Sequence, residues 1–492
     1  MSTSLPRQAF AAFLLSLLTA CGTVGPDYRV PDEAAIAKPS AAAPFAGAAE
    51  APYSAAPLPP HWWRLYRDPA LDRLVEQALA ANADLRAAAA NLRRARALEQ
   101  EVAAAGRPAL GISAAPAYGR PSAAARGLPD ALPDAASYDA GVSVSYQVDL
   151  FGKIARAIEA ADADSGAAAA AYDLSRINVA AGTVRAYVDV CASAAQIGVA
   201  QRSLGLQQDF LDLTARRIAA GRGTALDASR AQAQAEQLRA ALPPLQAAQR
   251  GALLRLAALL GETPGKLPES AGRCAAPPRL AFPVPVGDGA ALLRRRPDIR
   301  QAERGLAAAS ARIGVATADL YPGITLGLPA GSTGALAGFG AGNALRWSLG
   351  SLISWSLPVN GAARRRIAQA EASSEAALAR FDGTVLNALR EAETTLTVYA
   401  RELDRNAALK AAREQSALAA SQASELYRYG RTDFLTTLDA QRSLASAESA
   451  LTASDAQLAS DQVALFLALG GGWESADAQA TADSSNHIET RK

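Results

Sequence analysis

Residues 298–328, DIRQAERGLAAASARIGVATADLYPGITLGL, decide the fold. An Ala-rich helical pattern passes through Tyr321-Pro322 into a strand whose apolar and small residues alternate over 324–328. The same order occurs in residues 84–112, DLRAAAANLRRARALEQEVAAAGRPALGI, about 214 positions earlier. In both copies 24 positions separate the first aspartate from the proline. This spacing predicts an internal duplication of one helix-proline-strand unit.

Each copy continues into a second strand. Residues 142–150 alternate strictly between apolar and polar side chains, and residues 347–357 show a similar alternation 209 positions later. A soluble sheet with one buried face would alternate in the same way, so the pattern alone is not specific. The segment 118–136 and the Gly-rich segment 331–342 are predicted to be loops between strands.

Very long helices follow the second strands. Residues 153–220 and 362–429 contain no proline, and each would form a helix roughly 100 Å long at 1.5 Å per residue. Leucines at intervals of seven predict coiled-coil packing. Matching turns at 221–224 and 430–433 begin the returning helices. Pro243-Pro244 should kink or end the first of these, whereas the second should run straighter.

The N-terminus has the features of a targeting segment. An apolar run precedes Leu18-Thr19-Ala20-Cys21, which resembles a lipobox and predicts cleavage before an acylated Cys21; a plain secretory signal is the alternative. The predicted organisation is a signal peptide (1–20), a lipidated tether (21–60), a first repeat (61–260), a Pro/Gly-rich linker (261–290), a second repeat (291–470) and a disordered tail (471–492).

Composition argues against several classes of function. Lys plus Arg number 49 against 47 for Asp plus Glu, which does not favour nucleic acid as a partner. Three cysteines are too few for a disulfide framework, and Cys191 and Cys274 are each predicted to be small buried or neutral residues. The chain has no common catalytic motif and only two histidines. We therefore expect no enzyme activity, no metal site and no cofactor except the covalent lipid on Cys21.

Four strands of roughly ten residues are long enough to cross a bilayer at a tilt. Four strands cannot close into a barrel, and open sheet edges are not tolerated in lipid, so several chains must share one barrel. Strand counting permits two, three or four chains. The predicted fold class is an α+β membrane protein in which such a barrel continues into an α-helical coiled-coil tunnel.

Several motifs resemble the outer membrane factor family, the TolC/OprM type of efflux and export duct, and especially its lipoprotein branch. They cover nearly the whole mature chain, and the Arg-Arg-Pro-Asp-Ile-Arg stretch is the most specific of them. The resemblance implies a homotrimer with an outer-membrane barrel and a periplasmic tunnel. It also implies docking to a periplasmic adaptor and an inner-membrane transporter of the RND type. The motifs are Val24-Gly25-Pro26-Asp27-Tyr28, Trp62-Trp63, Asp68-Pro69, Asn82-x-Asp84-Leu85, residues 293–300 and Leu438-Asp439-Ala440-Gln441.

Two sets of site residues follow from this interpretation. Even positions in 142–150 and odd positions in 347–357 are predicted to face lipid. The residues predicted to face the water-filled lumen are Ser143, Ser145, Ser348 and Ser354. The residues predicted to close the periplasmic gate are Arg222, Asp227, Tyr427, Arg431 and Asp439, and the sequence departs from the family pattern at Thr436.

The predicted function is passive conduction of small molecules, such as drugs and toxic compounds, through an efflux channel in the bacterial outer membrane. Two alternatives remain open. One is a type I protein-secretion duct, and the other is a non-transporting periplasmic lipoprotein whose coiled coil acts as a spacer. Trp347 and Trp355 disfavour the spacer, because exposed indole rings suit a membrane interface.

Overall fold

The computed structural model describes residues 22–51, 53–280, 283–355, 357 and 360–471. The predicted signal peptide, Cys21 and the predicted tail from Gly472 onward lie outside the described residues. The chain divides into two compact units. Unit 1 contains the described residues up to Pro31, Asn91–Ala169 and Gln301–Phe381, and unit 2 contains Asp32–Ala90, Ala170–Arg300 and the described residues from Asp382.

Long helices dominate the secondary structure. The helices are α1 (Pro69–Ala81), α2 (Ala83–Ala104), α3 (Lys153–Ala219), α4 (Ala225–Ala240), α5 (Leu242–Leu259), α6 (Glu269–Gly272), α7 (Gly289–Arg295), α8 (Pro297–Ala318), α9 (Ala362–Arg428) and α10 (Phe434–Ala468). The strands are β1 (Tyr53–Ser54), β2 (Ala109–Gly119), β3 (Ala135–Val148), β4 (Val284–Pro285), β5 (Gly323–Ala335), β6 (Leu345–Trp347) and β7 (Gly350–Ser354).

The predicted long helices are confirmed. Both α3 and α9 contain 67 residues. The first returning segment is divided into α4 and α5, with Pro243 and Pro244 in the first turn of α5, where a missing backbone N–H is tolerated. The second returning helix, α10, runs for 35 residues without a break, as predicted. Within the described residues, none of the helices is long and apolar enough to cross a bilayer.

The sheet of unit 1 is antiparallel throughout. β2 pairs with β3, β3 with β5, and β5 with both β6 and β7. The predicted loop at 331–342 is partly wrong, because β5 continues to Ala335. Gly331 lies opposite Gly141, and a Cβ at Gly331 would lie 2.4 Å from the carbonyl oxygen of Ala140. The two backbones approach too closely for side chains, so these glycines serve the strand pair rather than a turn.

The fourth strand is interrupted, whereas the sequence predicted one strand over 347–357. β6 and β7 pair with β5 in the same register, but the strand pairing is interrupted between them. Pro329 of β5 lies in this gap and has no N–H to donate, although its carbonyl still accepts the backbone N–H of Ser348 at 3.1 Å. The proline therefore divides the strand into two short segments.

Aromatic and charged residues organise the core of unit 2. Trp62 stacks on Phe466 with the ring centroids 4.7 Å apart, and both side chains are fully buried. Arg296 donates hydrogen bonds to Asp298, to Glu391 and to the carbonyl of Ala468. This side chain therefore joins α8, α9 and the end of α10.

The tether packs along α9 within unit 2. Backbone N–H groups of Ala46 and Gly47 donate to the Glu393 carboxylate at 2.8 and 2.9 Å. The Tyr53 hydroxyl donates to the carbonyl of Leu396 at 2.6 Å. β1 of the tether also pairs with β4 of the linker. Side-chain acceptors thus satisfy backbone donors of a segment that has little regular structure of its own.

Cys191 and Cys274 form a disulfide bond, which the prediction of two small buried or neutral residues did not include. Cys191 is fully buried in α3, and Cys274 follows α6 in the linker. The two residues are 83 positions apart in the sequence. Because the linker folds back onto α3 in unit 2, the two thiols meet through tertiary structure.

Candidate functional site

The predicted gate residues lie around two turns of closely similar backbone geometry in unit 2. Gly221 after α3 and Gly430 after α9 both have left-handed φ angles, +72° and +71°. The next residues, Arg222 and Arg431, donate their backbone N–H to carbonyls five positions earlier, at 2.8 Å in both copies. This Schellman arrangement ends each helix abruptly, and glycine fits the left-handed position without strain.

Different residues cap the two returning helices. Thr224 begins α4 in a capping box, in which the Asp227 carboxylate accepts the Thr224 backbone N–H at 3.1 Å and the Thr224 hydroxyl at 2.8 Å. Asp433 begins α10 and accepts the backbone N–H of Thr436 at 2.8 Å. That bond and the bond from the Thr436 hydroxyl lower the pKa of Asp433 below its usual value.

An aromatic cluster joins the two turns inside the chain. Phe210 of α3 stacks on Phe434 at a centroid distance of 5.4 Å, and Tyr427 lies 5.4 Å from Phe210. The guanidinium of Arg217 lies 4.1 Å from the centre of the Tyr427 ring and donates to the Tyr427 carbonyl. A cation–π contact at this distance contributes about 0.5–2 kcal/mol. The cluster therefore holds the two hairpin ends together.

The structure brings only part of the predicted gate into contact. Tyr427 is 3 % exposed, with its ring in the aromatic cluster. Arg222, Arg431 and Asp439 are exposed, and Asp227 is half-buried in its cap. Within the described residues, no ion pair connects these four charged side chains. A role in a gate would therefore require contacts with another chain.

Sequence reasoning missed Arg217, Phe210 and Phe434. The available signal was the position of aromatic residues, because phenylalanine occurs only ten times in the chain. One of these, Phe434, comes directly after the second turn. Phe210 lies eleven positions before Gly221, too far along α3 for its partner to be identified from the sequence.

The register of the sheet places the four predicted lumen residues on one face. Cross-strand partners share a face. Ser145 lies opposite Gly327, which lies opposite Gly350, so even positions of β7, including Ser354, are on the same face as Ser143 and Ser145. Ser348 belongs to this face by the same register. Its backbone N–H donates to the Pro329 carbonyl, and Pro329 lies opposite Ser143.

The opposite face of the sheet is apolar. Val142 pairs with Ile112 and with Ala330, which pairs in turn with Trp347. This face also carries other large side chains that are 36–69 % exposed in the chain: Leu110, Val144, Tyr146, Leu326, Leu328 and Ile353. Leu352 is an exception to the pattern, because its position in β7 places it on the serine face. The chain therefore presents an amphipathic sheet whose apolar face it leaves uncovered.

Comparisons with known proteins identify the family of the chain. Residues 74–262 and 290–471 match the outer membrane efflux protein family. The chain is 32 % identical over 486 residues to the pyoverdine export outer membrane protein OpmQ of Pseudomonas putida, covering 96 % of this chain and 98 % of that protein. It is 31 % identical over 475 residues to the outer membrane protein OprJ of Pseudomonas aeruginosa, covering 95 % and 97 %.

A solved structure of the outer-membrane channel OprN superposes with a TM-score of 0.86 at 38 % identity, covering 92 % of this chain and all of that chain. The outer membrane protein VceC of Vibrio cholerae gives a TM-score of 0.78 at 27 % identity, covering 84 % of this chain and 99 % of that chain. The chain belongs to the outer membrane efflux protein family, and the family predicted from its motifs is confirmed. This is a family of efflux channels and not of enzymes.

Proposed function

We propose that three copies of this chain form one β-barrel in the outer membrane, through which small molecules leave the cell. The amphipathic sheet carries the proposal. Its two outermost strands, β2 on one side and β6 with β7 on the other, have no further partner among the described residues. Lipid cannot satisfy open backbone edges, so neighbouring copies must pair with them. Three copies supply about twelve strands, enough to surround a water-filled lumen.

The exposed side chains support the same proposal. Ile112 is 81 % exposed and Trp347 is 77 % exposed on the apolar face. At about 25 cal/mol per Å², such side chains are costly in water and are stabilised when lipid covers them. The serine face would line the lumen. Three of the related proteins are named for pyoverdine export, toluene efflux and antibiotic efflux, which favours small molecules over a type I protein-secretion duct.

Labelling at neighbouring positions of β3 tests the orientation of the sheet. A cysteine replacing Ser145 should react with a membrane-impermeant maleimide in intact liposomes, whereas a cysteine replacing Val144 should not. Both positions are exposed in the chain, so only the bilayer can produce the difference. Equal labelling at both positions would refute the proposed lipid-facing and lumen-facing sides. Heating a detergent extract tests the trimer, because a barrel formed by several chains should migrate differently before and after heating.

The N-terminal lipid is part of the proposal. Val24 donates its backbone N–H to the Phe151 carbonyl at 3.1 Å, close to the end of β3. Cys21 precedes this contact by three residues, so acyl chains on it would enter the same bilayer as the strands. Intact-mass measurement of the mature protein tests this prediction. A mature protein whose first residue is an unmodified Cys21 would contradict it.

We place the adaptor and inner-membrane transporter at the hairpin ends. Tyr429 and Leu435 beside the second turn are 71 % and 53 % exposed, and Leu226 beside the first turn is 56 % exposed. Exposed apolar side chains at a tip favour a protein partner. Cross-linking in intact cells from a photoreactive residue at 429 should capture the adaptor. The same photoreactive residue in place of Arg93, on α2, provides the control and should not capture the adaptor.

The charged residues at the turns are proposed to close the tunnel at rest. Arg222, Arg431 and Asp439 are exposed, and three-fold repetition would bring charges of neighbouring copies together. Each exposed pair contributes only about 0–1 kcal/mol, so a docked adaptor could open the ring. The double variant Asp227→Ala with Arg431→Ala should raise single-channel conductance in planar bilayers, most clearly at low salt, without loss of the trimer.

The capping box requires a matched control for this experiment. Thr224→Ala removes the hydroxyl that donates to the Asp227 carboxylate, but it keeps the bond from the backbone N–H of residue 224 and the charge of Asp227. If Thr224→Ala raises conductance as much as the double variant, weakening of the helix cap rather than loss of charge opens the channel. A double variant that conducts like wild type would show that these residues do not close the tunnel.

A further inference from the structure

The end of the sheet nearest the helices carries an unusual concentration of positive charge. Arg364, Arg365 and Arg366 are consecutive near the start of α9, and Lys153 begins α3. Arg107 lies between α2 and β2. All five belong to unit 1. We name these residues the basic collar.

The carboxylates of the same region only partly neutralise the basic collar. Asp319 pairs with Lys153 at 2.5 Å and with Arg366 at 3.2 Å. Asp149 accepts the backbone N–H groups of Ile154 and Ala155, at 2.9 and 2.7 Å. The five positive charges of the basic collar therefore exceed the two negative charges of Asp149 and Asp319. Arg107, Arg364 and Arg365 are exposed and make no side-chain contact with an acid within the described residues.

The position of these arginines is unfavourable for the isolated chain. The N-terminus of a helix carries partial positive charge and favours acidic side chains in its first turn. The first turn of α9 contains no acidic residue, whereas the Asp149 carboxylate caps the start of α3. Three adjacent arginines also repel one another. An anionic partner outside the chain would offset both the unfavourable interaction with the helix N-terminus and the repulsion among the arginines.

The surroundings identify the kind of partner. Trp355, directly after β7, is 54 % exposed, and its indole N–H donates to the Leu320 carbonyl at 3.1 Å. Phe151 and Tyr321 stack at 4.5 Å beside the same strand ends. Tryptophan and tyrosine mark the level of lipid headgroups in membrane proteins. A cleft of about 440 Å³ at this end is lined by Lys153, Arg366 and the ends of the strands, and it can hold a phosphate-bearing headgroup.

We infer that the basic collar binds the headgroups of anionic phospholipids in the leaflet nearest the helices. This inference rests on the proposed insertion of the sheet into a bilayer. Strand ends and aromatic rings bring the headgroup phosphates to the level of the arginines, which attract negatively charged lipid surfaces. The collar therefore selects anionic over zwitterionic lipid and fixes the depth of the sheet in the membrane.

Brominated lipids test this inference in the reconstituted full-length protein. In a background with Trp347→Phe and Trp473→Phe, Trp355 is the remaining tryptophan beside the sheet, and the other two, Trp62 and Trp63, are buried in unit 2. Its fluorescence should be quenched more strongly by dibrominated phosphatidylglycerol than by dibrominated phosphatidylcholine. Arg364→Gln with Arg365→Gln should lower the relative affinity for phosphatidylglycerol by about 30-fold, at roughly 1 kcal/mol per arginine near an anionic surface.

Arg93 and Arg94 provide the matched control. They are also consecutive and exposed, and they lie about 15 Å back along α2 from its end at Ala104. That distance exceeds the Debye length of roughly 8–10 Å. Arg93→Gln with Arg94→Gln should therefore keep the wild-type lipid preference.

The outcomes separate this inference from the proposed membrane insertion. Equal quenching by the two lipids would overturn the inference that the basic collar binds anionic headgroups. An unchanged preference for phosphatidylglycerol in Arg364→Gln with Arg365→Gln would also overturn it. An equal loss of preference in the control would assign the effect to overall charge and would overturn it as well. Absence of quenching by either lipid would instead refute the insertion of the sheet.

Discussion

Removal of the Cys191–Cys274 disulfide should destabilise unit 2 without changing its fold. The bond joins residues 83 positions apart. Closing a loop of this length removes about 4.5 kcal/mol of chain entropy from the unfolded state at 25 °C. Cys274→Ser is the suitable variant, because Cys191 is fully buried and a serine there would add the cost of an unpaired hydroxyl.

Denaturant unfolding of the full chain in detergent measures the effect. Oxidised wild type should unfold at a higher denaturant concentration than wild type treated with dithiothreitol. Cys274→Ser should match the reduced protein, and dithiothreitol should not change this variant further. Trypsin should also cut the linker between 262 and 280 faster in the variant, because the linker loses its covalent attachment to α3.

Peptide mapping provides the direct refutation. Without reductant, a tryptic digest should contain residues 186–202 linked to residues 274–279. Recovery of both peptides with free thiols from protein secreted into an oxidising compartment would refute the disulfide. Equal unfolding midpoints for Cys274→Ser and oxidised wild type would refute the argument from chain entropy.

Three further changes test other contacts. Arg156 is 6 % exposed in its side chain and donates to the Val24 carbonyl and to the Asp27 carboxylate, so Arg156→Gln should free the N-terminal segment at a local cost of about 2–3 kcal/mol. Mass spectrometry should show faster tryptic cleavage after Arg29, and wild-type resistance would contradict this. Burial raises the pKa of Asp461 in the folded state, so its contribution to stability falls as pH rises through that pKa. Asp461→Asn should raise the thermal midpoint at pH 7 and flatten the pH dependence, and an unchanged pH profile would refute the assignment. Phe434→Ala should destabilise the hairpin ends by about 3–5 kcal/mol in denaturant unfolding, and the exposed Leu435→Ala should have little effect. Equal losses would show that the aromatic cluster is not the stabilising contact.

The long helices and turns could be predicted because their signals are local. An uninterrupted helical pattern followed by glycine predicts where α3 and α9 end. Gly221 and Gly430 both adopt left-handed φ angles, which explains why glycine occurs at these two positions. Pro243 and Pro244 divide the first returning segment for an equally local reason, since neither residue has an N–H. The duplication strengthened each of these predictions by repeating it.

The errors concern contacts between distant residues. The sequence predicts a loop at Gly331, because clustered glycines usually indicate turns. Its role becomes visible only when Gly141 is placed opposite it. The break between β6 and β7 likewise depends on Pro329 of the neighbouring strand. The Cys191–Cys274 bond depends on where the linker folds, which no periodic pattern specifies.

The two repeats share backbone geometry at their turns and differ in the chemistry of their caps, which bears on the proposed gate. In the first repeat the Asp227 carboxylate already bonds to Thr224, so part of its hydrogen-bonding capacity is used within the helix. In the second repeat Asp433 takes the capping role, and the carboxylate of Asp439 remains exposed. Ion pairs between neighbouring copies should therefore depend more on Arg431 and Asp439 than on Asp227. The single variant Asp439→Asn should accordingly raise single-channel conductance more than Asp227→Asn does.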